Sequence, residues 1–390
     1  MAPTMDSKPD YLGIYQRELQ GDFYGPDYYR HPQSEIDSAI IYDDGEDKRT
    51  VAALLVTSFA PRRALEVGCA TGLLIKALRG YGVQAEGFDF SHWCIENADP
   101  QAGPWVRWGD VLELPVSGPE HDLVLALDVL EHLPPEKVPL AIGNLAAALA
   151  AGGILFTVIP AYGPNRFGPE LFPLRYEGWR RDAARGVPFT DLPLDDRGRP
   201  HLGHLTHATI DWWEKGFRRG GLRRLGPVER LLHRRYDAAL QLARRSFFVL
   251  VKAGPFGGWR AGRRLSHRIA AVPGLPRGFW SWERWDQRCW MRWTNGAAWE
   301  PVERKGRALE LQAICNHPDI AQLPVEVTFQ FDGLGPQRFE FRDHDWHRLK
   351  LETAPRRFAG LAITTSRTWA PDPEAPLGSR RELGVGISYS

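Results

Sequence analysis

One stretch, Leu65-Glu66-Val67-Gly68-Cys69-Ala70-Thr71-Gly72, constrains this chain more than any other. A short apolar run, Ala64 to Val67, enters a turn holding two glycines, and the helical pattern Leu73 to Gly80 follows at once. Glycine at such a place lets the backbone bend sharply and approach a ligand at the start of a helix. A dinucleotide fingerprint needs glycine at its first, third and sixth positions. Counted from Gly68 these are Gly68, Ala70 and Leu73, so that reading fails on spacing.

The pattern then repeats. Apolar runs at Ala85 to Asp89, Asp122 to Leu127 and Ile154 to Ile159 alternate with helical stretches, and Phe247 to Lys252 reads as a closing strand. Alternation of this kind predicts an α/β fold, a Rossmann-like doubly wound sheet covered on both faces, with ligands at the carboxyl ends of its strands. Asp89, Asp110 and Asp128 stand at three successive strand ends, which suits a ligand carrying a ribose, an amine and a positive charge. Leu140 to Pro160 has no charged residue and is long enough to cross a bilayer. Its alanine-rich half, Gly152-Gly153 and β-branched half read instead as helix, turn and buried strand. The opening MAPTMDSKPDYLG lacks a basic-then-apolar secretory pattern, and Cys69, Cys94, Cys289 and Cys315 lie far apart with no CxxC pair. Both features predict a cytoplasmic protein.

Five motifs in order, LEVGCATG (65–72), GFDFS (87–91), WGDVLELP (108–115), HDLVLALDVLEHL (121–133) and LAAGGILFTVIP (149–160), resemble the class I S-adenosylmethionine-dependent methyltransferases of the type 11/12 kind. The resemblance runs from about Thr50 to Ala253. It implies S-adenosyl-L-methionine as cofactor, with Glu66, Gly68, Cys69, Ala70 and Gly72 forming the loop against its methionyl part. It further implies Asp89 on the ribose, Phe90 flanking the adenine, Asp110 with Val111 at the adenine edge, and Leu127 and Asp128 facing the methionyl amine. Family members commonly have glycine where Ala70 stands.

Methyl transfer is an in-line displacement that needs alignment and exclusion of water, and an oxygen nucleophile gains from a general base. His132, after the strand bordering the methyl group, and His204, in the segment His201 to His207, are the candidate catalytic residues. Each also reads as structural: His132 as a helix cap, and the His201 to His207 segment as a surface loop with Thr206 capping the next helix. Asp128, Glu131 and His132 with a later histidine loosely match a metal site of some small-RNA and quinone methyltransferases; the expectation is that no metal is used.

The net charge of +1 hides an asymmetry: residues 1–160 carry −12, residues 161–300 carry +13 and residues 301–390 carry 0. The positive block is nearly all arginine and includes Arg260, Arg263 and Arg264, which predicts an anionic acceptor or a peripheral contact with an anionic membrane. Nucleic acid is not favoured, because no recognition module accompanies the charge and no Asn/Asp-Pro-Pro-aromatic run or Pro-Cys nucleophile occurs.

The chain is expected to divide into an N-terminal segment covering the cofactor site (1–49), the methyltransferase domain (50–253) with an acceptor lid at about 161–205, an Arg/Trp-rich connection (254–300) and an all-β sandwich (301–390). Tryptophans 280, 282, 285, 290 and 293, with Arg284, Arg288 and Arg292 between them, fit helix or core packing or a glycan platform. Leu309 to Leu311, Val325 to Phe329, Phe339 to Phe341, Leu349 to Leu351 and Val385 to Tyr389 alternate at period two, as sandwich strands do. The tail is similar to β-sandwich modules of bacterial polysaccharide-biosynthesis enzymes. The expected function is O-methylation of a saccharide or sugar-phosphate; the alternatives are a quinone or secondary-metabolite methyltransferase and a non-catalytic scaffold for a glycan-synthesis complex.

Overall fold

A computed structural model describes residues 13, 22–25, 28, 46–113, 121–195, 199–240, 246–252, 257–286, 289–304, 306–374 and 380–389. Leu114 and Pro115 of the third motif and Arg288 lie outside these residues. The chain forms two compact units, one of residues 1–43, 61–75 and 83–266 and one of residues 44–60, 76–82 and 267–390.

The first unit is built on a seven-stranded sheet. Its strands are β1 (Arg63–Val67), β2 (Gln84–Asp89), β3 (Val106–Trp108), β4 (His121–Leu127), β5 (Leu149–Val158), β8 (Leu222–Arg224) and β9 (Phe247–Lys252), in the order β3-β2-β1-β4-β5-β9-β8. The short β6 (Ala161–Tyr162) and β7 (Ala208–Thr209) pair apart from it. Strands β3 to β5 are parallel in the sheet, and β9 runs antiparallel to both β5 and β8. The order reverses between β1 and β4, which opens a crevice at their carboxyl ends. Helix Val138–Ala148 and helix Ile210–Arg219 bury Leu145, Trp213 and Phe217 against Leu125's neighbours Val124 and Ala126 and against Phe248.

Two local expectations change. Gly152-Gly153 is not a separate turn: β5 begins at Leu149, directly after the helix, and Gly152 (φ +73°) lets residues 150–153 bulge before pairing resumes at Ile154. Thr206 is not a helix cap, since its hydroxyl donates to the Leu133 carbonyl at 2.6 Å; Thr209 caps the next helix by accepting from the Trp212 N–H.

The second unit is an all-β sandwich joined by helix Glu46–Phe59. One sheet contains β14 (Val325–Phe331), β15 (Gln337–Phe341), β17 (Phe358–Thr365) and the far half of β12 (Trp290–Glu303); the other contains the near half of β12, β13 (Ala308–Ile314), β16 (His347–Glu352) and β18 (Gly386–Tyr389). Strand β12 changes sheets at Gly296 (φ +100°) and runs through the 300/301 division drawn from sequence. Alternation puts Val325, Val327, Phe329 and Phe331 inside, facing Leu311, Leu349, Leu351 and Ile387. The tryptophans do not form a helix: Trp290 and Trp293 lie on β12, while Trp280, Trp282 and Trp285 flank β10 (Arg277–Phe279) and β11 (Glu283–Arg284), which pair with β12; Trp282 and Trp293 are buried, and Trp285 is exposed.

Candidate functional site

The turn after β1 is a backbone construction. Gly68, Ala70 and Gly72 all have positive φ (+69°, +47° and +83°). The alanine holds a left-handed conformation that glycine adopts at no steric cost, which is the physical meaning of the departure at Ala70. Space is as restrictive as angle: a Cβ on Gly68 would lie 2.5 Å from Val129, and one on Gly72 would lie 2.8 Å from Ala102. The Gly68 and Cys69 N–H groups donate to the Phe88 carbonyl at the end of β2, fixing the loop on its neighbour strand.

Asp89 ties the two strand ends together. Its Oδ2 accepts from the Ala70 N–H at 2.7 Å and its Oδ1 from the Ser91 N–H at 2.8 Å. Burial pushes this carboxyl above its usual range, against hydrogen bonds from the Ser91, Ala70 and Phe90 backbone. Glu66 is buried on β1, and burial with the nearby Glu66 charge pushes the Cys69 thiol well up, which makes it inert as a nucleophile. Phe90 lies beside Trp108, whose indole N–H donates to the Phe90 carbonyl at 3.0 Å. Asp110 accepts from the Leu112 N–H, while the side chain of Val111 belongs to the core. Leu127 ends β4, and Asp128 (φ +55°) turns the chain beneath Val158, to whose carbonyl its N–H donates.

Beyond Asp128 the structure gathers groups from distant parts of the sequence. Val129 covers Gly68, and three residues on His132 stands with its ring edge-to-face against His204, centroids 4.8 Å apart. The His132 Nδ1 is hydrogen-bonded to the Tyr24 hydroxyl at 3.0 Å, and the Tyr24 carbonyl accepts from the Ser91 hydroxyl at 2.6 Å. Residues 22–25 and 28 thus bridge from the Asp89 turn to the histidines. The Tyr28 hydroxyl donates to the Leu202 carbonyl; its pKa is pushed up by burial and by the Glu131, Asp128 and Asp89 charges. Three carboxylates act on one buried point, a field that suits a cationic ligand.

The segment around residue 204 is held by backbone. Leu205 and Thr206 donate to the Glu131 carbonyl, and Leu202 and Gly203 carry φ of +55° and +71°. His207 follows, its Nδ1 bonded to the Tyr162 hydroxyl at 2.9 Å; its Nε2 has no partner among the described residues. Tyr162 packs edge-on to Trp179, which stacks on Phe189. Burial pushes His132 and His207 down to about 4, and pushes His204, beside His132 and His207, well below the usual range. All three rings are therefore neutral at physiological pH. Tyr24, Tyr28 and Tyr162 escape the sequence reading; the aromatic runs Phe23-Tyr24 and Tyr28-Tyr29 were a local signal for the first two. Glu131, His132 and His204 each bring a ligand atom within 4.8 Å of the others, a carboxylate–imidazole set that could also hold a divalent cation.

The sheet order and the glycine turn can be set beside known proteins. Residues 42–214 match the family described as methyltransferase domain. In this chain the matched residues belong to the glycine-turn sheet, and a C-terminal all-β unit lies outside the match.

Similar curated proteins are the ubiquinone biosynthesis O-methyltransferases of Methylococcus capsulatus, 36% identical over 154 residues, and Burkholderia orbicola, 30% identical over 107 residues. These alignments cover 33% and 25% of this chain and 65% and 44% of those relatives, so the chain spans less than two thirds of their length. Among solved structures, an O-methyltransferase family protein from Burkholderia thailandensis has a TM-score of 0.36 at 14% identity, covering 53% of this chain and 55% of that one. The N-methyltransferase NodS from Bradyrhizobium japonicum, in complex with S-adenosyl-L-homocysteine, has a TM-score of 0.28 at 22% identity, covering 35% and 74%. Likeness at that level decides nothing about chemistry. Among the described residues no helix is long and apolar enough to cross a membrane.

Proposed function

We propose that this protein transfers the methyl group of S-adenosyl-L-methionine to a hydroxyl oxygen of a small aromatic acceptor, with His132 as general base. The observation that carries the reading is the half-buried pair of neutral histidines, His132 and His204, one short turn beyond the valine that covers Gly68. In the transfer the acceptor oxygen attacks the sulfonium methyl as the carbon–sulfur bond breaks, leaving neutral S-adenosyl-L-homocysteine, and the hydroxyl proton passes to the imidazole. Tyr24 orients that imidazole through Nδ1, and the Gly203 backbone holds it as well.

Basicity favours an aromatic hydroxyl over a sugar. A base titrating near 4 faces a gap of about 6 pK units to a phenol, but nearly 12 to a hydroxyl as weakly acidic as water. The Tyr162, Trp179 and Phe189 cluster beside His207 supports the same choice, since aromatic rings pack well on it. The names of the curated relatives, ubiquinone biosynthesis O-methyltransferases, point the same way. The saccharide acceptor expected from the C-terminal unit becomes the competing reading, and the Nε2 of His207 is a contact either acceptor could use.

A methyl-transfer screen over catechols, hydroquinones, nucleotide sugars and oligosaccharides tests this. Methylation of catechols or hydroquinones is the expected result; methylation confined to saccharides overturns the aromatic assignment, and no transfer together with no cofactor binding returns the protein to a scaffold. The Glu131, His132 and His204 set gives a second reading, as divalent-cation ligands. If these groups act as a base and its neighbours, kcat survives EDTA; if they are ligands, kcat falls and added magnesium or zinc restores it.

A further inference from the structure

Within the second unit lies a cleft built from that unit's own residues. It opens to solvent, and among its lining residues are Arg49, Arg277 and Arg292 but no carboxylate. Aromatic side chains, chiefly Tyr81, Trp280 and Trp282, form much of the remainder.

The three arginines differ in what they already hold. Arg292 is buried; its guanidinium pairs with Glu300, donates to the Tyr81 hydroxyl at 3.1 Å and lies 3.7 Å from the Phe279 ring centroid. Its Nε–H has no acceptor among the described residues. Leaving a buried charged donor unmet is costly, so the position favours an acceptor arriving from outside. Arg277 is exposed at the mouth, its guanidinium 4.6 Å over Trp299, with no carboxylate paired to it among the described residues. Arg49 stands 5.9 Å over Trp280, and the Trp280 indole is anchored by donating to the Glu382 carbonyl at 2.8 Å.

Glu300 cancels the charge of Arg292, while Arg277 is paired with no carboxylate among the described residues, so the cleft carries positive charge beside its aromatic rings. Burial of Arg292 strengthens an electrostatic contact there relative to open water. A carboxylate is satisfied by a single guanidinium fork, whereas a phosphate presents enough oxygens to engage more than one.

We propose that this cleft binds phosphate, free or as the head of a small phosphomonoester, through Arg277 and Arg49 at the mouth and Arg292 below. Isothermal titration of the full chain with glucose 1-phosphate, inorganic phosphate and glucose, at fixed ionic strength, tests it. Both phosphate ligands should saturate the site and glucose should give no heat. Equal affinity for the two identifies the free ion as the ligand; tighter binding of glucose 1-phosphate identifies the ester. Arg277→Gln should raise Kd about tenfold, the equivalent of one charge-assisted hydrogen bond, with Arg277→Lys in between. Because Arg277 is exposed, the melting temperature of the variant should match that of the parent; Arg49→Gln provides a second, independent variant with the same expected direction. Absence of saturation by either phosphate ligand, equal binding of glucose, or an affinity unchanged in both glutamine variants overturns the assignment.

Discussion

The glycine turn after β1, which we propose as the cofactor cradle, and the histidine cluster adjoin at the contact between Gly68 and Val129, yet they are made of different material. The cradle is backbone: three residues with positive φ, N–H groups fixed on Phe88, and one carboxylate, Asp89, bracing the loop. The cluster is side chain, assembled from Tyr24, His132, Tyr162, His204 and His207. The difference teaches where each can be damaged. A cradle fails through shape, because any added atom has nowhere to go; a cluster fails through chemistry, one group at a time.

The largest expected effect breaks the cradle. Gly68→Val adds a branched side chain at φ +69° and 2.5 Å from Val129, so calorimetry should find S-adenosyl-L-methionine binding reduced beyond detection, at least about 100-fold. Next, His132→Ala should lower kcat by about 10² while leaving the cofactor Kd within a few-fold, as removal of a positioned base does. Steady-state kinetics beside calorimetry separates the two. Tyr162→Phe removes only the partner of His207 Nδ1, and kcat should fall by a modest factor, about fivefold, the size of one neutral hydrogen bond.

Acid should loosen the cluster in a defined window. His132 and His207 titrate near 4 when folded and near 6.5 when unfolded, so between those values the unfolded chain holds more protons. Stability is full above about pH 6.5 and declines as pH falls toward 4; at pH 5 the loss is about 2 kcal/mol for each histidine. Urea midpoints measured at pH 7 and 5 check the sign, and His207→Gln should flatten part of the slope. The smallest effect concerns Arg260, Arg263 and Arg264. They lie exposed on helix Gly257–Ala271, opposite the buried Ala261, Leu265 and Ile269. Neutralising all three should leave the acceptor KM within about twofold, as surface charges screened by salt do; a large rise would reinstate the anionic acceptor expected from block charge.

The cradle was legible in sequence for the same reason that it is fragile. A backbone turn is specified by neighbours in the chain, so Gly68, Ala70 and Gly72 announce it within five residues, and Asp89 follows at the end of the next strand. The cluster is specified by folding: Tyr24 and His132 are 108 residues apart and Tyr162 and His207 are 45 apart, distances at which no local pattern exists. His132 and His204 could be named separately, but not as a pair, and the depression of their pKa values belongs to burial that only the folded chain creates. The sandwich divides in the same way. Half-buried strands such as β14 alternate and are readable, whereas β17, buried over Phe358 to Leu361, reads as a continuous apolar run that period two does not find.

Calorimetric titration of S-adenosyl-L-homocysteine into the parent, Asp89→Ala and His132→Ala proteins tests the division of labour most directly. The account predicts saturable binding to the parent, at least about tenfold weaker binding to Asp89→Ala, where a buried charge-assisted contact is lost, and binding to His132→Ala within a few-fold of the parent. A parent that does not bind, or a His132→Ala protein that loses affinity as far as Asp89→Ala does, would contradict it.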